Sequence, residues 1–285
     1  MSVAEAYRAS RHLPITLRAG AVILAIHLIL AIAGPFITPY DFAAIGTGKP
    51  LEGISWAHPF NTDQLGRDVF SRTLYGGHVV LLLSISGTAV GLIIGSVIGL
   101  FSGLTGGWVD SILMRGSEVL ISIPFLVLAL IAIMVAGPNW AGSPTLLILA
   151  VGLVYVPRIA RMARVAAIEV ASRDYVMAAR LRGESSWAII RHEILPNSIG
   201  TLLVEFSIRA GYAPVLIGAL GFLGFGIRPP TPEWGLMMSE YRNLIAVAPM
   251  TMFGPGLMLA SLVVGLNLFT EGLARLIGGK RVVDA

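Results

Sequence analysis

Long apolar runs separated by shorter polar intervals recur along most of this chain. They cover 19–37, 79–101, 119–136, 144–156, 198–225 and 250–268. A helix rises about 1.5 Å per residue, so roughly twenty apolar residues match the ~30 Å hydrocarbon core of a bilayer. The pattern predicts an all-α fold: a polytopic membrane protein with six transmembrane helices. Pro124 is expected to kink the third span, and Pro157 to end the fourth. In the second span Gly87, Gly91, Gly95 and Gly99 fall four residues apart. That spacing lines one strip with small residues and predicts close packing against another helix. The first run follows a basic start, as a signal peptide does, but its length and the absence of a small-residue cleavage pattern favour a retained helix.

The longest polar interval is 38–78, rich in Gly and Pro and therefore loop-like. Within it, Thr62 or Asp63 is expected to cap a short amphipathic helix carrying Leu65, Val69 and Phe70 along the membrane surface. Asp63 with Arg67, and Asp68 with Arg72, then read as ordinary helical ion pairs rather than a catalytic cluster. A second loop carries Pro229-Pro230-Thr231-Pro232, which forbids helix and predicts an extended edge. Glu205 and Arg209 stand one helical turn apart inside the fifth span. Charge there is costly unless paired or facing a cavity, so the pair reads equally as an interfacial ion pair or as part of a translocation path.

The polar island 172–197 is different in kind, because it interrupts the apolar pattern with two short helices and one turn. Ser172 is expected to cap a first helix with Asp174 in its opening turn, and Tyr175, Val176, Ala178, Ala179 and Leu181 give it an apolar side. Gly183 suits the left-handed residue that ends it. Ser185 or Ser186 is expected to cap a second helix, Trp187 to Ile194, after which Pro196 resets the backbone. Arg158, Arg161 and Arg164 form a basic stripe leading into this elbow. A helix-turn-helix that reads DNA has a similar outline, but a nucleic-acid reader between two membrane spans is not a sensible arrangement.

Composition sharpens the class. Charged residues make up 13% of the 285, hydrophobic residues 55%, and mean hydropathy is high, against roughly 25% charged in soluble domains. With no cysteine, disulfides and thiol chemistry are excluded. Neither a P-loop, HExxH, GxSxG nor a histidine cluster occurs, so ATP hydrolysis or intramembrane hydrolysis by this chain is not expected. Lys and Arg are distributed unevenly. One set of intervals holds Arg8, Arg11, Arg18, Arg115, Arg158, Arg161, Arg164, Arg173, Arg180, Arg182, Arg191, Arg275, Lys280 and Arg281, whereas the other holds Lys49, Arg67, Arg72, Arg228 and Arg242. By the positive-inside rule, 1–18, the 172–197 loop and the 273–285 tail are cytoplasmic. The 38–78 and Pro-rich loops are then extracytoplasmic.

Three separated motifs carry a family resemblance. Ala178-Ala179, Gly183 and Leu195-Pro196 resemble the EAA loop of ABC importer permeases, with Met177 and Glu193 departing from its general signature. The stretch Asn61 to Arg72 and the string Phe222 to Gly235 resemble the dipeptide/oligopeptide/nickel branch. The resemblance implies a type I importer permease fold for the 79–272 core. It implies an ATPase-coupling loop with Tyr175, Ala178, Ala179, Arg180, Gly183, Arg191, Leu195 and Pro196. It also implies a second homologous permease, two ATPase subunits and an extracytoplasmic solute-binding protein as partners. The chain itself would bind no cofactor, ATP and Mg residing on the partner subunits. The expected localisation is the bacterial inner membrane, in contact with its lipids, and no nucleic acid is involved. A self-contained secondary transporter and a membrane scaffold are the rival readings. The first calls for further buried acids, and the second has no need of the elbow. Peptide, glutathione, nickel-chelate and opine solutes are not separated by these motifs.

Overall fold

The computed structural model describes residues 13–283, with side chains described as far as Arg275. Arg8, Arg11 and the side chains of Lys280 and Arg281, counted in the charge argument, lie outside the described residues. Ten α-helices follow one another among the described residues: α1 Ile15–Ile37, α2 Val69–Thr105, α3 Gly107–Ser122, α4 Phe125–Ala136, α5 Pro144–Ala171, α6 Asp174–Leu181, α7 Ser186–Ile189, α8 Leu195–Phe222, α9 Trp234–Tyr241 and α10 Pro249–Val283. Among the described residues five stretches are long and apolar enough to cross a membrane: α1, α2, α5, the run from α7 through α8, and α10 as far as Arg275.

The sixth candidate is a broken pair. Between α3 and α4 the axis turns by 99° at Ile123 and Pro124. The kink expected at Pro124 is therefore present but much sharper, and it breaks the run over 119–136 into two helices. Its first turn belongs to α3, and the remaining twelve residues of α4 extend only about 18 Å. Proline has the opposite outcome elsewhere. Pro157 does not end the fourth span, because α5 runs through it to Ala171, and Pro35, Pro214 and Pro255 also sit inside helices. In lipid, a chain that leaves the helix exposes several backbone groups, whereas a proline within it frees one or two. As far as Val283, the basic tail is the helical continuation of α10.

The chain falls into two compact units, Leu82–Leu220 and the remainder (through Leu81, then from Gly221). In the Leu82–Leu220 unit the glycine strip packs against α5. Cβ atoms built on Gly87, Gly91, Gly95 and Gly103 would meet Val151, Tyr155, Ile159 and Ala167 at 2.7–2.9 Å. The strip is thus occupied by the chain's own helix and is not a free seam for another subunit. Asp110 of α3 takes both Nε and Nη2 of Arg164 on α5, Nη2 lying 2.6 Å from Oδ2.

In the other unit α1 and α10 pack through Gly20, Gly265 and Gly272, whose missing Cβ atoms would collide with the opposite helix. The expected helix around 62–68 is absent. These residues form a turn, and α2 begins only at Val69. Asp63 still pairs with Arg67, at 2.6 Å, but it does so by closing the turn, accepting also from the backbone N–H groups of Leu65 and Arg67. Asp68 does not pair with the Arg72 side chain. It accepts from the Ser71 N–H at 2.7 Å and stands 2.9 Å from His58 Nδ1. The wholly buried Arg72 instead donates to the carbonyls of Phe42 and Pro230 and to Glu240 Oε2, at 3.0, 3.2 and 3.4 Å. Tyr241 donates to Asp63 at 3.2 Å, and Trp234 donates its indole N–H to the Thr73 carbonyl at 2.8 Å. The two outlying loops are therefore fastened together by a buried ionic network around the start of α2.

Candidate functional site

The elbow is built by α6, one turn, and the run of α7 into α8. Its first cap differs from expectation. Ser172 ends α5, donating to the Glu169 carbonyl at 2.8 Å, and Arg173 occupies the N-cap of α6 without a side-chain bond. The exit follows the sequence closely. Gly183 has φ +78°, its N–H reaches the Arg180 carbonyl at 3.0 Å, and the Glu184 N–H reaches the Ala179 carbonyl at 3.2 Å. These two bonds are those of a Schellman motif, which satisfies carbonyls left open at a helix end. Ser185 then caps α7 by accepting from the Ala188 N–H at 3.3 Å.

The second half does not stop at Pro196. A π turn, Ile190–Ile194, joins α7 to α8, with the Leu195 N–H reaching back to the Ile190 carbonyl. The widened turn makes room for the proline ring, which would press on the His192 carbonyl in a regular helix. Pro196 thus lies inside a continuous helical run, and the elbow's second arm is the beginning of the fifth span. Movement of that arm is movement of a membrane helix.

The apolar side expected of α6 is split. Val176 and Ala179 are fully buried with Ile189, Ile190 and Ile194 and with Leu100 and Leu104 of α2. Tyr175 and Leu181 point outward, as do Met177 and Trp187, and Ala178 is exposed. Arg180 Nη2 donates to the Leu104 carbonyl at 2.9 Å, a cation placed at the C-terminus of α2 where the helix dipole favours it. Arg191, Leu195 and Pro196 are exposed on the second arm. The candidate coupling residues therefore divide into anchors, Ala179 and Arg180, and a free surface.

On α8, Glu205 accepts from both Nε and Nη2 of Arg209 on its one oxygen Oε1, at 2.7 and 2.6 Å. Glu205 is buried and Arg209 half-buried. The basic stripe does not lead into the elbow as a continuous charged face. Arg164 is neutralised by Asp110, Arg161 is exposed, and Arg158 is half-buried beside Arg209. Arg158 stands in the middle of α5, a helix that Pro157 does not end.

Comparisons with known proteins agree with this architecture. Residues 95–282 match the family described as binding-protein-dependent transport system inner membrane component. The chain is 34% identical over 254 residues to the dipeptide transport system permease protein DppC of Alkalihalophilus pseudofirmus, covering 89% of this chain and 82% of that one. It is 36% identical over 249 residues to the glutathione transport system permease protein GsiD of Pectobacterium atrosepticum, covering 86% and 81%. The probable D,D-dipeptide transport system permease protein DdpC of Escherichia coli is 36% identical over 265 residues, covering 92% and 88%. A chain of the inward-facing MetNI methionine ABC transporter superposes with a TM-score of 0.57 at 20% identity, covering 72% of this chain and 96% of that one, which shows a shared fold. The chain belongs to the binding-protein-dependent inner membrane components, as a dipeptide-type permease subunit of an ABC importer.

Proposed function

We propose that this permease carries a peptide or peptide-like solute and is driven through the 172–197 elbow by ATPase subunits that dock on it. It supplies one half of the pathway, a second homologous permease supplies the other, and two ATPase subunits bind and hydrolyse ATP with Mg. An extracytoplasmic binding protein delivers the solute. Both termini and the elbow face the cytoplasm, which leaves the two outlying loops on the side of the binding protein.

The observation that carries the coupling role is the apolar surface of the elbow. Leu181 is 86% exposed, Met177 and Trp187 57%, and Tyr175 42%, within a segment otherwise rich in charge. Buried in a groove of a partner, a leucine of this kind contributes about 1.5–3 kcal/mol. Trp187 lies on the second arm, which is continuous with α8, and α6 is packed on that arm through Val176 and Ala179 against Ile189, Ile190 and Ile194, so force applied to the surface is passed to α8. Leu181→Asp tests the role in the reconstituted transporter. The variant is expected to insert normally but to lose roughly tenfold or more of binding-protein-stimulated ATP hydrolysis, by that same energy. Full stimulation with Asp at this position would contradict docking through the elbow.

A further inference from the structure

A cavity of about 160 Å³ opens between the middle of α5 and the middle of α8, with the start of α4 beside it. Its lining is Phe125, Tyr155, Arg158, Arg209, Tyr212 and Val215. Arg158 lies fourteen residues from the start of α5 and thirteen from its end, and Arg209 has the same place in α8. Each Cα is therefore about 20 Å or more, along the axis, from either end of its helical run. At such depth a charge persists where it meets a counterion or a water-filled cavity.

The charges do not cancel. Arg209 is held by Glu205, but among the described residues no carboxylate lies within 4 Å of Arg158. The bond Arg158 makes is Nη1 to the Val154 carbonyl of its own helix, at 3.2 Å. Two guanidinium groups repelling one another beside a small cavity, with Glu205 paired to Arg209 alone, leave a net positive site. Tyr155 is buried beside both arginines, and Tyr212 stands 53% exposed at the rim. A planar guanidinium flanked by phenol groups suits a carboxylate, to which it offers two parallel N–H donors. The cavity is smaller than the ~300 Å³ at which sites for whole small molecules begin, so it fits one end of a solute rather than all of it.

We propose that Arg158, supported by Arg209, Tyr155 and Tyr212, forms a carboxylate-binding station halfway along the translocation path, which receives the free C-terminal carboxylate of the passing peptide-like solute. The station rests on the proposed solute class but needs neither ATPase subunits nor elbow coupling. Its affinity is necessarily weak, because a carrier path has to release what it holds.

The chain has no cysteine, so Val215→Cys places a single thiol in the cavity wall. In the full chain in nanodiscs, an anionic sulfonatoethyl methanethiosulfonate should label this thiol faster than the cationic trimethylammonium-ethyl reagent. Adding Arg158→Gln should lower the anion-to-cation rate ratio about tenfold, the effect of removing one nearby charge. Arg158→Lys keeps the charge and should keep the ratio. Millimolar dialanine should slow labelling and its C-terminal amide should not, with protection reduced severalfold in both Arg158 variants. A ratio indifferent to Arg158→Gln, equal protection by acid and amide, or undiminished protection in Arg158→Lys would overturn the station. None of these readouts involves ATP hydrolysis, so failure here is distinct from failure of the coupling role tested at Leu181.

Discussion

Replacing Gly99 by alanine perturbs the tightest point of the α2–α5 seam. A methyl group there would overlap the Ala160 carbonyl oxygen and lie 2.6 Å from Ala163 Cβ and 2.9 Å from the Arg164 backbone nitrogen. Carbon atoms pack comfortably at about 3.5–4.0 Å, so the helices must part locally by roughly 1 Å. Two of the obstructing atoms are backbone, which no rotamer change can move. Overpacking of this kind costs about 1–3 kcal/mol, and alanine returns up to ~1 kcal/mol through its higher helix propensity. The net destabilisation is then about 1–2 kcal/mol, or several degrees in melting temperature for a chain of this size. Gly116→Ala is the internal control, because its Cβ meets nothing within 4 Å and it gains propensity without a clash. Thermal unfolding of the detergent-purified chain, followed by intrinsic fluorescence, should rank Gly99→Ala below wild type and Gly116→Ala at or above it. A Gly99→Ala chain that melts with wild type would refute the argument that the strip holds α5 by direct backbone approach.

Gly183→Val forces a branched side chain to φ +78° with no neighbour within 4 Å, so its cost of about 1–2 kcal/mol falls on the turn alone. Expression should persist while binding-protein-stimulated ATP hydrolysis falls; unchanged coupling would remove the mechanical role of the turn. Single cysteines at Trp56 and Thr231 should react with an impermeant thiol reagent in intact cells, and one at Ser186 only after the membrane is opened; labelling of Ser186 from outside would reverse the orientation. Burial raises the Glu233 carboxyl to about 7, against the opposing hydrogen bonds it accepts from the Gly235 and Leu236 N–H groups. The unfolded carboxyl releases its proton first, so stability should fall as pH rises from about 4.5 to 7 and level off above. Glu233→Gln should flatten that slope in melting temperatures measured across the same range, and an unchanged slope would assign it to another group.

The membrane-spanning stretches were legible because a bilayer imposes one length scale on apolar runs, and the elbow because Gly183 and Ser185 each satisfy a local hydrogen-bonding need. What escaped the sequence was non-local. Pro124 and Pro157 look alike in a list of residues, yet α5 passes through Pro157, whereas the chain turns by 99° at Ile123 and Pro124. The difference lies in what surrounds each proline, which local propensity does not encode. The partner of the glycine strip was equally invisible, since four-residue spacing specifies a close approach but not the helix that makes it. Asp63, Asp68 and Arg72 carried an i,i+4 pattern that suggested helical pairs. The structure uses Asp63 to close a turn and sends Arg72 to Glu240, a residue more than 160 positions away. The exposed apolar residues of α6 were readable as apolar, but which of them face inward depends on the packing of Val176 and Ala179 against α2.

As proposed, this chain is a conduit driven by separate ATPase subunits. Reconstitution in liposomes tests it most directly, with dipeptide uptake and ATP hydrolysis followed as components are added one at a time. The purified chain alone should show neither activity. Both should appear when the partner permease and the ATPase subunits are present, with hydrolysis rising further on addition of the binding protein. Uptake by the isolated chain, driven by a proton or sodium gradient, would contradict the account and establish a secondary transporter instead.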